Sequence, residues 1–462
     1  MPIVSNAQKI SSEPNQYNSN EQFKVYTERH WEQIPYLKDL SEEVRFNMRV
    51  VAKVLPFRVN QYVLDELIDW SAAPDDPIFR LVFPQPEMLT ENNFARMADL
   101  LKNGADKASI QTLVDEIRQT LNPHPAGQQQ LNVPRLGDDY LEGMQHKYRD
   151  TVLFFPSQGQ TCHSYCTFCF RWAQFVGDKD LRFAARETAA LHQYLQQHKE
   201  VSDLLVTGGD PMVMKTRRFQ DIVEPLIEDK FDHVQTLRIG SKSLSFWPQR
   251  FVTDADADDL LRTFEQLVNA GKHVAFMAHF NHWRELESDI VKEAIRRIRD
   301  TGVIIRSQAP LLANINDDAE TWSTLWRNQV KQGIIPYYMF VERDTGARHY
   351  FEVPLAKAWK IYRAAMQSVS GLGRTARGPC MSAGPGKIEI QGVTDINGEK
   401  VFVLRFVQGR NPDWVQKPFF AKYDENVTWF DQLKPAFGEK EFFFEKEYQS
   451  MHRKALISSA NV

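Results

Sequence analysis

TVLFFPSQGQTCHSYCTFCFRW, residues 151–172, decides how this chain is read. It opens on TVLFF, an apolar run of the length of a buried strand. A connection with Pro156 and Gly159 follows, and then Cys162, Cys166 and Cys169 stand in a C-x3-C-x2-C spacing. Thiolates are soft ligands that suit iron–sulfur clusters or zinc. Spacings this short let three sulfurs converge on one face of a cluster. A cluster that only carries electrons takes a fourth protein ligand, yet the one remaining cysteine, Cys380, lies far downstream. Three ligands would leave one iron open to a small molecule. The alternative is zinc with His163 as fourth ligand, although structural zinc sites pair ligand couples at longer separation.

Outward from this stretch the same texture repeats. After TVLFF come the strand candidates DLLVT from Asp203, TLRIG from Thr236, HVAFMAHF from His273, VIIRS from Val303 and IPYYMF from Ile335. Most intervals are roughly 30–35 residues, room for one strand and one helix. The helices between them include ETAALHQYLQQ, DADDLLRTFEQLVNAG and ESDIVKEAIRRIRDTG, the last two closed by Gly271 and Gly302. Alternating β and α units predict an α/β fold with a parallel sheet and right-handed crossovers. Six units fall short of the eight that close a full barrel, so the expectation is an open, partial (βα)6 barrel with its strand ends lining a cavity.

Residues 1–22 are polar and read as a flexible lead-in without the apolar core of a secretory signal. Residues 23–139 read as a helical N-terminal region, with Ser41 capping one helix and Asn92–Leu101 inside another. A segment rich in Pro, Gly and Gln precedes Asp139 and marks a boundary. The βα series fills 140–392, and 393–462 reads as a small β-containing tail whose aromatic residues pack as core. The 462 residues carry a net charge of −4, with 42% hydrophobic and 25% charged residues. That balance gives no reason to expect nucleic acid or an anionic membrane as partner. No apolar run is long enough to span a bilayer, and the expected location is the cytoplasm. Of four cysteines three are clustered, which favours metal binding over a disulfide framework.

Further words stand at the strand ends: TGGDP (207–211), RIGSK (238–242), HFNH (279–282), LLANIND (311–317), PYYMF (336–340) and SAGPGK (382–387). With the cysteine loop, and in this order, they resemble the lysine 2,3-aminomutase family of radical S-adenosylmethionine (SAM) enzymes, over Tyr148 to Ile390. The resemblance implies a [4Fe–4S] cluster, SAM and pyridoxal 5′-phosphate (PLP). It also implies an amino-acid substrate and an electron donor such as flavodoxin or ferredoxin, and it is compatible with a homo-oligomer. The implied reaction moves an α-amino group to the β-carbon.

The resemblance assigns roles position by position. Cys162, Cys166 and Cys169 would hold the cluster. Gly208, Gly209 and Asp210 would meet the amino group of SAM, and glycines do let backbone approach a ligand closely. Arg238 and Ser241 would contact SAM or the PLP phosphate, the alternative for Arg238 being a simple ion pair. His279 would bond to SAM. Paired with His282 it suggests a metal, but no third ligand is evident. Lys387 would carry PLP, although the family's glycine run is here shorter and broken by Pro385. Lys147 and Tyr148 match positions near the PLP phosphate, with Thr151 where the family has arginine. Arg171 would take the α-carboxylate of the substrate in its bidentate fork. Asp317 matches the first of two family aspartates that hold the distal ammonium of lysine. The second falls on Arg343, between Glu342 and Asp344, and a one-residue shift would restore an acid. An inward Arg343 disfavours lysine and suits a distal carboxylate such as that of glutamate. The rival reading is a radical SAM enzyme of this scaffold with changed chemistry.

Overall fold

The computed structural model describes residues 23–127, 132–177, 183–186 and 188–460. The expected lead-in over 1–22 and part of the Gln-rich segment lie outside them. One sheet of eleven strands organises the chain. Its strands are β1 (Met144–Tyr148), β2 (Thr151–Phe154), β3 (Asp203–Val206), β4 (Thr236–Ser241), β5 (His273–His279), β6 (Ile304–Leu311), β7 (Ile335–Val341), β8 (Arg377–Ser382), β9 (Gly386–Ile396), β10 (Glu399–Gly409) and β11 (Pro418–Lys422). They stand side by side in sequence order. From β2 to β8 the pairing is parallel. It is antiparallel at both edges, β1 on one side and β9 to β11 on the other.

The six expected strands are β2 to β7, consecutive members of this sheet. The parallel series does not end there. β8, RGPCMS, adds a seventh parallel strand that the sequence did not announce, because Gly378 and Pro379 interrupt its apolar pattern. The α/β class is as expected, carried by a sheet larger than six units.

Local sequence accounts for the helices between the strands. Helix Asp289–Asp300 buries Val291, Ala294, Ile295 and Ile298, the spacing of a single apolar stripe. Gly271 and Gly302 follow two helices with φ of 86° and 85°, a left-handed conformation that glycine adopts without a Cβ clash. Along β3 and β4 burial alternates: Leu204, Val206, Leu237 and Ile239 are buried, whereas Asp203, Leu205, Arg238 and Gly240 are partly open. A parallel sheet covered on both faces reads as continuously apolar. This alternation therefore marks one face packed under helices and a second, inner face that is less completely covered.

Helices Glu42–Val54, Glu91–Lys102 and Lys107–Thr120 fill the N-terminal region, with Ser41 accepting from the Val44 N–H at 3.2 Å as the expected cap. At the other end the β9–β10 hairpin continues past Gly392, with a shift of register between Ile390 and Gly392. Phe402, Phe406, Trp414, Phe419, Phe442 and Phe444 form a second apolar cluster there, the packing role expected of them. Among the described residues no helix is long and apolar enough to cross a membrane.

Candidate active site

The three cysteines lie in the loop that follows β2, and all are free thiols. Four neighbouring residues hold that loop. The Asn60 N–H donates to the Ser164 hydroxyl at 3.0 Å, and the Tyr165 N–H donates to the Arg58 carbonyl at 2.8 Å. Thr167 gives its N–H to the Leu81 carbonyl at 2.9 Å and its hydroxyl to the Arg80 carbonyl at 2.6 Å. The N-terminal region thus braces the loop from outside. On the other side the turn after β3 packs against it. A Cβ on Gly209 would come within 2.4 Å of the Thr161 carbonyl, and the Gly209 and Asp210 N–H groups donate to the Gly159 carbonyl at 3.0 Å. Here the glycines permit the close approach of backbone to backbone beside Cys162.

Asp210 is buried, and its carboxylate is occupied by the chain itself. It accepts from the Met212 N–H at 2.9 Å, the Ser241 hydroxyl at 2.8 Å, the Lys242 N–H at 2.9 Å and the Ser243 hydroxyl at 3.0 Å. Burial raises its pKa against these bonds. Asp210 and Ser241, both expected to touch SAM, instead tie the loops after β3 and β4 together. Lys242 of the same RIGSK word is neutralised by buried Glu285 at 2.5 Å, directly behind the cysteine loop. Arg238 also departs from its ligand-binding expectation: its guanidinium pairs with Asp203 at 2.5 Å.

Burial pushes all three thiols above their ordinary pKa, Cys169 to about 11; Cys162 and Cys166 are raised further by neighbouring thiols of the triad, whereas Arg171 opposes the rise at Cys169. Bound iron reverses this, since a coordinating thiol is deprotonated outright. Among the described residues no three His, Cys, Asp or Glu side chains stand around the position of a single metal ion. His163, the zinc alternative's fourth ligand, bonds through Nδ1 to the Ser243 hydroxyl at 3.1 Å and stacks on Trp247. Cys380 is buried on β8, in register with Glu389 of β9 and away from the loop. Three adjacent soft donors fit a [4Fe–4S] cluster with one open iron. His279 faces the loop across Phe168, with ring centroids 5.7 Å apart. Its buried Nε2 has no partner, and burial holds its pKa well below the usual range. His282 instead accepts from the Arg284 N–H and caps a short turn.

Arg171 is buried beside the cysteines, stacked 4.2 Å over Phe155, with Nε unpartnered and burial lowering its pKa to about 10. Lys387 lies at the start of β9. Its ammonium sits 4.3 Å over the Tyr338 ring and donates to Gln408 Oε1 at 3.1 Å. Register places Gln408 directly opposite on β10. Burial brings the Lys387 pKa down to about 8. Lys147 donates to the Ala383 carbonyl at 2.6 Å. Burial first, then Arg410, Arg343 and Lys387, drive its pKa well down. Tyr148 lies beneath it and is raised by burial. Arg410 reaches this group from β10's end and donates to the Gly384 carbonyl at 2.9 Å.

The two substrate positions are not brought together as expected. Asp317 pairs with Lys357 at 2.5 Å and accepts from the Asn314 N–H, so its charge is spent within the fold. Arg343 does turn inward: its Nε and Nη2 are buried without a partner, and its guanidinium lies 5.4 Å over Phe170 of the cysteine loop. Gln408 and Arg410 went unnoticed in the sequence, because only cross-strand pairing brings them to Lys387.

A three-cysteine loop thus follows the first of seven sequential parallel strands, the placement that the resemblance to radical SAM enzymes implies. No family model matches the chain. It is 31% identical over 406 residues to a protein of Aquifex aeolicus named "Putative L-lysine 2,3-aminomutase", spanning 88% of this chain and 95% of that one. It is 26% identical over 336 residues to the L-lysine 2,3-aminomutase of Escherichia coli, covering 72% and 82%. Against that of Methanococcus maripaludis it is 25% identical, covering 85% and 79%. A solved radical SAM methyltransferase from Sphaerobacter thermophilus overlaps 52% of this chain and 68% of its own, at 12% identity and a TM-score of 0.35. The chain belongs to the L-lysine 2,3-aminomutase family. It is therefore an enzyme of the isomerase class, and its family implies a [4Fe–4S] cluster and SAM.

Proposed function

We propose that the chain is a PLP-dependent amino-acid 2,3-aminomutase. The observation that carries this reading is the presence, on one sheet, of a three-thiol loop after β2 and of a lysine on β9 with a depressed pKa held by Gln408. The cluster and SAM would supply one-electron chemistry for removing hydrogen from an unactivated carbon, and PLP would supply an electron sink next to the migrating nitrogen. Cys162, Cys166 and Cys169 would hold the cluster, His279 would meet SAM, and Lys387 would bear PLP with Lys147 and Tyr148 beside its phosphate.

The protein's own groups do the rest. Arg171 takes the substrate carboxylate and fixes the α- and β-carbons relative to the cysteine loop. Lys387 is poised to give up its proton at a pH near 8, so that its amine can act as a nucleophile. The braced loop and the inner face keep water from the reacting carbons. Nitrogen leaves the α-carbon for the β-carbon while hydrogen passes the other way, so the reaction is an isomerisation without net redox change. An external donor such as flavodoxin or ferredoxin would reduce the cluster. The test is borohydride treatment of the PLP-loaded protein followed by peptide mapping. A pyridoxyl label on Lys387 is expected, and a label elsewhere, or none, sinks the PLP assignment.

A second reading concerns the substrate. With Asp317 held by Lys357 and Arg343 buried without a partner, the site favours an amino acid with a distal anion over lysine. A screen of reconstituted enzyme with glutamate, aspartate and lysine for β-amino products distinguishes them.

A further inference from the structure

Two cations of the inner face belong to none of the roles above. In register Arg306 of β6 lies beside Met277 of β5, which in turn pairs with Gly240 of β4. Gly240 shares the inner face with Arg238, two residues earlier on β4. On β6 itself Arg306 and Gln308 are partly open, whereas Ile305 and Ser307 are buried. Two strands away, Arg377 opens β8.

Both guanidiniums close on the same aromatic pair. Arg306 lies 5.2 Å from the centroid of Tyr337, and Arg377 lies 4.9 Å from Tyr337 and 4.9 Å from Tyr338. The rings of Tyr337 and Tyr338 are 4.4 Å apart. Among the described residues neither guanidinium has a carboxylate partner or a side-chain hydrogen bond. This is unlike Arg238 next to them, which Asp203 neutralises. Aromatic faces attract cations but offer no acceptor to a guanidinium's five donors. Two like charges gathered on one ring pair, partly exposed and with forks unfilled, are the arrangement an anion would complete.

We propose that Arg306 and Arg377, seated on Tyr337 and Tyr338, form an anion site on the inner face for a phosphate or carboxylate group. The Lys387 ammonium lies 4.3 Å over the same Tyr338 ring, so an anion held there belongs to a molecule that also reaches Lys387. Two sources have this chemistry, the phosphate of PLP and a second carboxylate of the substrate. Only the first depends on the PLP assignment above.

The test is calorimetric titration of the full-length, cluster-reconstituted protein with inorganic phosphate, with glutarate, and with pyridoxal 5′-phosphate against pyridoxal. The wild-type protein should bind at least one of these anions saturably, and the Arg306→Met/Arg377→Met double variant should bind it at least about tenfold more weakly. Arg306→Lys and Arg377→Lys keep the charge and lose the fork, and should weaken binding by less. They serve as the readout if the double variant fails to fold. Arg363→Met, an exposed position, should change nothing. A cofactor phosphate in the site predicts that the preference for pyridoxal 5′-phosphate over pyridoxal collapses in the variants. A substrate carboxylate predicts that glutarate weakens while that preference stays. Unchanged affinity for every anion in all the variants overturns the proposal. Failure to label Lys387, with phosphate or glutarate binding still lost, would remove PLP and leave the anion site standing.

Discussion

The cysteine loop and the surroundings of Lys387 are built on different plans. Around the cysteine loop several buried charges have partners within the protein, Arg171 being the exception. Asp210 accepts from four residues, Lys242 meets Glu285, and the loop backbone is held by Arg58, Asn60 and Leu81. At the lysine end the charges are left over: Lys147, Arg343, Arg306 and Arg377 have no acid bonded to them among the described residues. One end is finished by folding, whereas the other is left for ligands to finish. An unpaired buried charge is costly, so such a set persists where binding relieves it.

The largest effect should come from the finished end. Cys166→Ala should abolish cluster incorporation and reductive SAM cleavage, read by iron content and 5′-deoxyadenosine formation, while Cys380→Ala should leave both intact. Cluster loss in Cys380→Ala would break the three-ligand assignment.

Next in size is Arg343. Facing an ammonium, its guanidinium costs on the order of 1–4 kcal/mol even at a high effective dielectric, which is about tenfold to several hundredfold in selection. Arg343→Asp should raise lysine turnover and lower that of an acidic substrate, measured as the ratio of kcat/KM values. Efficient lysine turnover by the unmodified enzyme would place Arg343 outside the substrate site.

Asn60→Ala sharpens the brace side of the comparison. Its side chain donates to the Phe246 carbonyl at 2.7 Å and accepts from the Val63 N–H at 3.0 Å, all in a fully buried position. Leaving those groups unsatisfied should lower stability by about 1–3 kcal/mol, seen in denaturant unfolding of the iron-free chain. Arg306 makes no such bond among the described residues, so Arg306→Met should leave unfolding nearly unchanged.

The smallest effect is a pH dependence at Lys387. With its pKa lowered to about 8, against about 10.4 unfolded, the unfolded chain binds more protons between those values. Stability should therefore rise with pH across that window, and the burial penalty is full below it. Lys387→Met should flatten the rise. In the folded protein competitive acylation of Lys387 should show an inflection near pH 8. Gln408 accepts from the charged amine, so Gln408→Leu should move that inflection lower. An inflection near pH 10 in the wild type would contradict the buried environment.

What the sequence disclosed was what short-range pattern encodes. Strands β2 to β7 announced themselves as apolar runs, and the cysteine loop by its spacing. β8 was missed because Arg377, Gly378 and Pro379 mask it. The motif words lie at strand ends and loops, but they do not reveal which partners their side chains find within the protein. Asp210 and Arg238 lie there with their charges already answered, and no local pattern shows that Asp203 or Ser241 will answer them. Asp317 was lost to Lys357, a partner one helix away. Gln408, Arg410 and Arg306 become visible only through register, which sets neighbours from strands distant in sequence.

The β9–β10 hairpin has a consequence for the enzyme's adaptability. Lys387 and Gln408 face each other on one antiparallel ribbon at the margin of the sheet, and the cysteine loop hangs from β2 and the N-terminal region. Changes along β9 and β10 need not disturb the contacts of Arg58, Asn60 and Leu81 that hold the cysteine loop. A designer, or natural selection, can vary the surroundings of Lys387 at one margin while inheriting an intact radical source from the other.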